Sequence, residues 1–195
     1  EKAKKTKEEI KRHGKSPLLI IAGPGTGKST ALAERVAFLI KKGVRPERIY
    51  VLSFTNASAL DLKEKIERET PHAAKVSLST VHGLANKILR ENSQFRYFIS
   101  NEYDDLLIIR DSYPSLSDAE RKEFLKNQNK ILATQKNNAL VDGKYTLFKN
   151  YYRSFNFYEV TQKATQILQN RRILNAYLTK MEYLIVDEYQ DLNKA

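Results

Sequence analysis

The chain has 195 residues and is strongly basic, with 34 Lys and Arg against 23 Asp and Glu and a formal net charge of +11. A chain of this length can bury one or two cores, and its hydrophobic fraction of 41% is compatible with a folded protein. It contains no cysteine, which excludes disulfides, thiolate catalysis and cysteine-based zinc sites. The excess of positive charge predicts a polyanionic partner, with a merely solvated basic surface as the alternative.

Neither a secretory signal nor an apolar run of membrane-spanning length occurs in the sequence, so we expect a cytoplasmic protein without a membrane partner. The single methionine is Met181, and the chain begins at Glu1. It ends seven residues (195 − 188) after Glu188. These features predict a fragment of a longer protein.

The first predicted elements are a strand at residues 18–21, a glycine-rich loop and an amphipathic helix. This order is the context of a phosphate-binding loop. Glycines can take positive φ, so that successive backbone N–H groups face an anion at the amino terminus of a helix. The predicted nucleotide-binding residues are Ala22, Gly23, Pro24, Gly25, Thr26, Gly27, Lys28, Ser29 and Thr30.

Two side chains of this loop carry the predicted chemistry. Lys28 would bring a positive charge to the β- and γ-phosphates, and the Ser29 hydroxyl would bind Mg²⁺. The loop departs from the strict pattern at Ala22, where a glycine is usual. A glycine-rich turn of no chemical consequence is the alternative.

The elements that follow alternate between helix and strand. In the helix after the loop, Leu32, Val36, Leu39 and Ile40 share one face, while Glu34, Arg35 and Lys41 are predicted to point away from it. The next elements are a strand at Ile49–Ser53, a helix at 57–68, a strand at 76–79 and a helix at 82–90. This alternation predicts a parallel sheet flanked by helices.

A long segment separates His82 from Asp187, 105 residues (187 − 82) away. The excess predicts an inserted, mainly helical subdomain at about 91–178. Within it, aromatic and basic residues interleave at helical spacing: Tyr145, Phe148, Tyr152 and Phe155 among Lys144, Lys149 and Arg153. The spacing favours a buried aromatic face with the basic residues as candidate phosphate contacts, and base stacking is the alternative.

The last motif is an apolar run at residues 183–186 followed by two carboxylates. Such a run is typical of a strand buried on both faces of a parallel sheet, and ligands bind beyond the carboxyl ends of such strands. We therefore predict Asp187 as a Mg²⁺ ligand and Glu188 as the group that orients and deprotonates an attacking water. With Lys28, Glu188 completes the predicted catalytic pair. A solvated acidic turn would be favoured if the phosphate-binding loop were absent.

Two further segments, residues 54–59 and 80–83, resemble motifs of the superfamily 1 DNA helicases of the UvrD/Rep type. Residues 186–191 are similar to the magnesium motif of that family. The resemblance covers about 1–90 and 155–195, with four motifs in the family's order. It implies an α/β P-loop NTPase fold: a RecA-like domain at 1–90 and 179–195, and the inserted helical subdomain at 91–178.

The resemblance also implies an activity, that of an ATP-dependent helicase or translocase using ATP and Mg²⁺. It would move 3′ to 5′ on single-stranded DNA and single-strand/double-strand junctions, in replication, repair or recombination. The residues implied to contact DNA are Phe54, Thr55, Asn56, Thr80 and His82, and Gln190 would couple the sites. The alternatives are that Asn56 only caps a helix, that His82 only begins one, and that Phe54 is core.

Two departures from the family affect the expected activity. The family carries an adenine-reading glutamine upstream of the loop, whereas the first glutamine here is Gln94. We therefore expect loose discrimination between ATP and GTP. The family's second RecA-like domain supplies a transition-state arginine, so the fragment alone should turn over little ATP.

The motifs leave three other functions open. A helicase-nuclease subunit of the same superfamily would share these motifs. A P-loop kinase of a small molecule would leave Glu188, Thr80 and His82 unexplained. A nonhydrolytic nucleic-acid-binding module would leave Lys28 and Glu188 unused.

Overall fold

The computed structural model describes residues 8–21, 23, 25–93, 96–134 and 142–189. Residues 8–12 are helical, and the helices and strands that follow are, in chain order, α1 (Lys28–Lys41), β1 (Ile49–Ser53), α2 (Asn56–Glu69), β2 (Ser77–Thr80), α3 (Val81–Asn92), β3 (Phe98–Ile99), α4 (Glu102–Ser112), α5 (Asp118–Thr134), α6 (Gly143–Tyr152), β4 (Ser154–Phe155), α7 (Phe157–Leu168), α8 (Arg171–Lys180) and β5 (Tyr183–Val186). The chain divides into a sheet unit, Glu1–Gly83 with Arg171–Lys194, and a helical unit, Leu84–Asn170.

The sheet unit is built on three parallel strands in the order β2-β1-β5. Tyr50 of β1 lies opposite Ser77 of β2 on one side and Leu184 of β5 on the other. All five residues of β1 are buried, as expected for a central strand. The core joins α1, α2 and the sheet through Ala33, Val36, Leu39, Ile49, Val51, Leu62, Ile66, Ala73 and Val76. The predicted parallel sheet flanked by helices is confirmed.

The predicted strand at residues 18–21 is wrong, because this segment pairs with none of the described strands. A strand forms only where a neighbouring backbone completes its hydrogen bonds. Leu19 is 69% exposed and Ile21 90% exposed. β5 likewise has one described neighbour rather than two, and its Leu184 is half exposed. The predicted burial of residues 183–186 on both faces is therefore not observed.

Arg35 also departs from the prediction, because it is buried rather than directed away from the core face of α1. The predicted core face of α1 is confirmed, since Leu32 and Ile40 pack against the core beside Val36. In α2, ion pairs at i,i+4 spacing join Lys65 to Asp61 and Arg68 to Glu64.

The helical unit contains α4, α5, α6 and α7 and a two-stranded parallel sheet of β3 and β4. Its core is formed by Ile108, Ile109, Leu125 and Tyr145, with Phe148 partly buried against it. The predicted core face is therefore confirmed for Tyr145 and Phe148 only, because Tyr152 is 38% exposed and Phe155 lies in β4 rather than on the helix. The prediction of Lys149 as a candidate phosphate contact is wrong, because its side chain is buried and forms an ion pair with Glu159.

A buried charged cluster lies beside that core. Lys149 is 2% exposed and Asp105 3% exposed, and the Lys149 ammonium pairs with Glu159. The Ser100 hydroxyl donates to Asp105 at 2.8 Å. Burial raises the pKa of Asp105, while the Ser100 hydrogen bond and the Lys149 charge act in the opposite direction. Two carboxylates thus share one cation.

We expect Asp105→Asn to raise the melting temperature at neutral pH. Because the folded-state pKa of Asp105 is raised, its ionised form destabilises the fold as pH rises from the unfolded-state pKa, about 3.9, through the folded-state pKa. The amide can still accept from Ser100 without charge. Thermal unfolding of both proteins between pH 4 and pH 8 should show a gain that shrinks towards pH 4. Exposed Asp118→Asn is the control, and a lower melting temperature for Asp105→Asn at every pH would contradict the expectation.

Candidate functional site

The glycine-rich loop has the backbone conformation that an anion-binding turn requires at two of its glycines. Gly25 has φ 71° and Gly27 φ 85°, whereas Gly23 lies outside the left-handed region. The Gly23 carbonyl accepts a hydrogen bond from Thr26 Oγ1 at 2.8 Å. Ala22 and Pro24, also predicted to bind the nucleotide, lie outside the described residues.

α1 begins directly after this loop, with Gly27 as its amino-terminal cap. No side chain caps this end, and its first turn carries no acidic residue. The N–H groups of a first turn lack partners within the helix and form the positive end of its dipole. Lys28, Ser29 and Thr30 occupy this turn and are half-buried. The arrangement suits a phosphate group.

The two carboxylates lie immediately beyond β5. The Asp187 N–H donates to the Leu52 carbonyl at 2.8 Å, which extends the pairing of β5 with β1 by one residue. Asp187 is 5% exposed, and burial raises its pKa; the neighbouring Glu188 charge acts in the same direction and Lys28 against it. Glu188 has φ 51°, the left-handed region, which is uncommon for a residue with a Cβ.

Lys28 and Glu188 are in contact although 160 residues separate them in the chain. The Lys28 Nζ lies 3.4 Å from Glu188 Oε1 and 3.5 Å from Glu188 Oε2. The structure thus brings the end of the glycine-rich loop and the end of β5 together. Asp187 and Ser29 carry the carboxylate and hydroxyl oxygens that suit a hard divalent cation.

The segment after β1 begins α2 with a capping box. The Ser58 N–H donates to Thr55 Oγ1 at 3.1 Å, and the Thr55 N–H donates to Ser58 Oγ at 3.2 Å. Thr55 is the cap and Asn56 the first helical residue, so the alternative that Asn56 caps the helix is wrong. The core alternative for Phe54 is also wrong, since its side chain is 50% exposed. Thr55 at the cap gave only a weak sequence signal, because the usual capping box carries Glu or Gln at the third position, where this chain has Ser58.

The segment after β2 has a similar local role. Thr80 Oγ1 accepts from the Gly83 N–H at 3.0 Å, and His82 lies in the first turn of α3. Ser53 and Thr80 are opposite each other in the register of β1 and β2. The residues implied to contact DNA therefore follow the carboxyl ends of neighbouring parallel strands, at the same sheet edge as Asp187. Gln190 lies outside the described residues.

Comparison with known proteins identifies the family. The model of the UvrD/REP helicase N-terminal domain matches residues 3–106, more than half of the chain. The chain belongs to the UvrD/REP helicase family. The resemblance drawn from the four motifs is thereby confirmed, and the α/β fold with its parallel sheet agrees with this family's amino-terminal domain.

The curated relatives are named as helicases. The chain is 30% identical to a probable DNA helicase II homolog of Mycoplasma capricolum, with 91% of the chain and 29% of the relative covered. It is 26% identical to DNA helicase II of Rickettsia typhi, covering 94% of the chain and 32% of that protein. It is 30% identical to the ATP-dependent DNA helicase PcrA of Staphylococcus epidermidis, over 96% of the chain and 29% of that protein. The chain thus spans about three tenths of these relatives. Among the described helices, none has the length and apolarity to cross a membrane.

Proposed function

We propose that this chain is the ATP-binding part of an ATP-dependent DNA helicase or translocase. The contact between Lys28 and Glu188 carries the proposal, because it joins the proposed phosphate-binding loop to the carboxylate that we propose activates water. The family's relatives include a protein named as an ATP-dependent DNA helicase, which supports ATP as the nucleotide.

The roles proposed for the site residues follow from their positions. The first-turn N–H groups of α1 and the Lys28 ammonium bind the β- and γ-phosphates. Ser29 and Asp187 hold Mg²⁺, which neutralises phosphate charge when bound. Glu188 orients the attacking water and accepts its proton.

Single-stranded DNA is the proposed polymer substrate. Phe54 and Asn56 are exposed beyond β1, and His82 follows β2 at the same edge. The hydroxyls of Thr55 and Thr80 already cap helices, so we assign these two residues to shaping the DNA path as well as contacting it. The net charge of +11 favours phosphate contacts.

The remaining parts of the proposal concern the whole protein. We propose 3′-to-5′ movement on single strands and single-strand/double-strand junctions, in replication, repair or recombination. A second RecA-like domain of the same polypeptide would supply the arginine that stabilises the transferring phosphoryl group. This chain alone should then hydrolyse ATP slowly.

ATP hydrolysis by the full-length protein, with and without a single-stranded oligonucleotide, tests the DNA part of the proposal. We expect the oligonucleotide to stimulate hydrolysis, and the concentration for half-maximal stimulation to rise steeply with salt because phosphate contacts dominate. An Asp118→Asn protein serves as the control, since this exposed carboxylate lies in the helical unit outside the proposed sites. If DNA leaves the rate of ATP hydrolysis unchanged and a small molecule with a hydroxyl acceptor raises it, the protein would instead be a kinase.

A further inference from the structure

Arg35 is a buried arginine that binds backbone instead of a carboxylate. It is 7% exposed and lies on α1, seven residues (35 − 28) after Lys28. Its Nη1 donates to the Lys11 carbonyl at 2.8 Å and also to the His13 carbonyl, and its Nη2 donates to the Gly14 carbonyl at 3.0 Å. The guanidinium carbon lies 5.9 Å from the centre of the Tyr183 ring.

The three carbonyls around Arg35 suit a guanidinium better than an ammonium. A planar fork of N–H donors can serve several carbonyls at once, whereas a lysine ammonium is a compact point charge. Burial lowers the pKa of Arg35, which shows that the site desolvates the cation. Among the ion pairs of the described residues, none involves Arg35. The three carbonyls therefore compensate the buried charge.

The carbonyls belong to the segment that enters the phosphate-binding loop. From Lys15 to Gly27 the chain runs 13 residues (27 − 15 + 1) before α1 begins. Residues 18–21 of this stretch pair with no described strand and are mostly exposed. The ion pair between Lys15 and Glu182, at 3.2 Å, also attaches this segment to the sheet unit. Because the Lys15 side chain is 76% exposed, the pair contributes little to holding the segment in place.

Both ends of the 13-residue stretch are thus attached to the same helix, one at Arg35 and the other at Lys28. Seven helical residues span about 10 Å, so the two attachment points are close. Closing a loop between fixed points restricts the positions that its residues can adopt. Without the Arg35 bonds, the segment that enters Gly23 and Gly25 would be held more weakly, because the exposed Lys15–Glu182 ion pair contributes little.

We propose that Arg35 is a positioning residue for nucleotide binding: by anchoring residues 11–14 to α1, it fixes where the phosphate-binding loop lies. The inference rests on the proposed function, because it takes the loop as the ATP site. Arg35 itself contacts no phosphate in this account and acts through the entering segment.

Calorimetric titration of the 195-residue chain with Mg-ATP tests the proposal on Arg35→Lys and Arg35→Gln. The matched control is Arg48→Lys, since Arg48 also donates to a backbone carbonyl, that of Thr179, but is exposed and lies before β1. We expect both Arg35 variants to bind Mg-ATP about tenfold more weakly and Arg48→Lys to remain within about twofold of the wild type. All proteins are titrated at a temperature where circular dichroism shows them folded.

Limited trypsin digestion supplies a readout of the anchor itself. Cleavage after Lys11, whose carbonyl accepts from Arg35, should be faster in both Arg35 variants and unchanged in Arg48→Lys. A purely structural role would lower the melting temperature without changing the dissociation constant of the folded protein.

The outcomes separate the two proposals. Wild-type chain that binds no Mg-ATP would refute the proposed function, while the digestion still tests the anchor. Wild-type binding with unchanged affinity in the folded Arg35 variants would overturn the positioning role. If Arg35→Lys fails to fold, the neutral Arg35→Gln decides. Failure of both to fold would also overturn the proposal, because Arg35 would then determine the fold and not the loop position.

Discussion

We expect Glu188→Gln to slow ATP hydrolysis by the full-length protein by about 10²–10⁴-fold, the contribution typical of a positioned general base. The amide keeps the size of the side chain but cannot accept the proton of the attacking water. Mg-ATP binding should persist or strengthen, since the substitution removes a negative charge that lies 3.4 Å from Lys28 and competes with phosphate for its ammonium. Single-turnover hydrolysis and nucleotide titration on the same preparation measure the two effects.

Glu182→Gln is the matched control for this substitution. Glu182 lies just before β5, at the strand end opposite to Glu188, and pairs with Lys15 at 3.2 Å and Arg48 at 3.4 Å. Its loss should leave turnover unchanged. A Glu188→Gln protein with normal turnover would place the base elsewhere.

The second large effect concerns stability. We expect Lys149→Met to lower the free energy of unfolding of the helical unit by about 3–5 kcal/mol, because breaking a buried ion pair leaves an uncompensated charge. Glu159 is 15% exposed and would lose its cation, and buried Asp105 would lose the same nearby charge. Because two units can unfold separately, hydrogen exchange of α6 and α7 amides in low urea is the appropriate measurement.

Two further variants make this test specific. Adding Glu159→Gln to Lys149→Met should recover part of the lost free energy of unfolding, because the uncompensated charge is removed. The Asn156 N–H, which donates to Glu159 Oε2 at 2.8 Å, can donate to the amide oxygen instead. Lys65→Met removes an exposed ion pair with Asp61 and should cost less than about 1 kcal/mol. Equal losses for Lys149→Met and Lys65→Met would show that burial of the pair has no energetic consequence.

Much of the candidate site could be predicted because its residues belong to two short sequence motifs. The loop ending in Lys28 and the carboxylates after β5 each occur within a few residues, and the rule that ligands bind beyond the carboxyl ends of parallel strands places them at one edge. The contact between Lys28 and Glu188 agrees with that expectation. The Thr55 cap was not predicted: the cap considered from the sequence was Asn56, and the third position carries Ser58 where the usual capping box has Glu or Gln.

The features that could not be predicted depend on which distant groups meet. Residues 18–21 have the composition of a strand, but composition does not supply a pairing partner. Arginine and lysine are usually exposed, so the burial of Arg35 and Lys149 was not expected. Three backbone carbonyls compensate the charge of Arg35, and Glu159 compensates the charge of Lys149. Buried charges of this kind require partners that sequence spacing does not reveal.

Titration of the folded 195-residue chain with ATP, in the presence and absence of Mg²⁺, tests the central claim most directly when Lys28→Ala is measured beside the wild type. We expect one ATP per chain, weaker binding without Mg²⁺, and an affinity at least about 100-fold lower in Lys28→Ala, which corresponds to about 2.7 kcal/mol. Thermal unfolding should show that Lys28→Ala is about as stable as the wild type, because the Lys28–Glu188 ion pair is partly exposed and such pairs contribute little to stability. Absence of binding to the wild-type chain, or equal affinity in Lys28→Ala, would contradict the account.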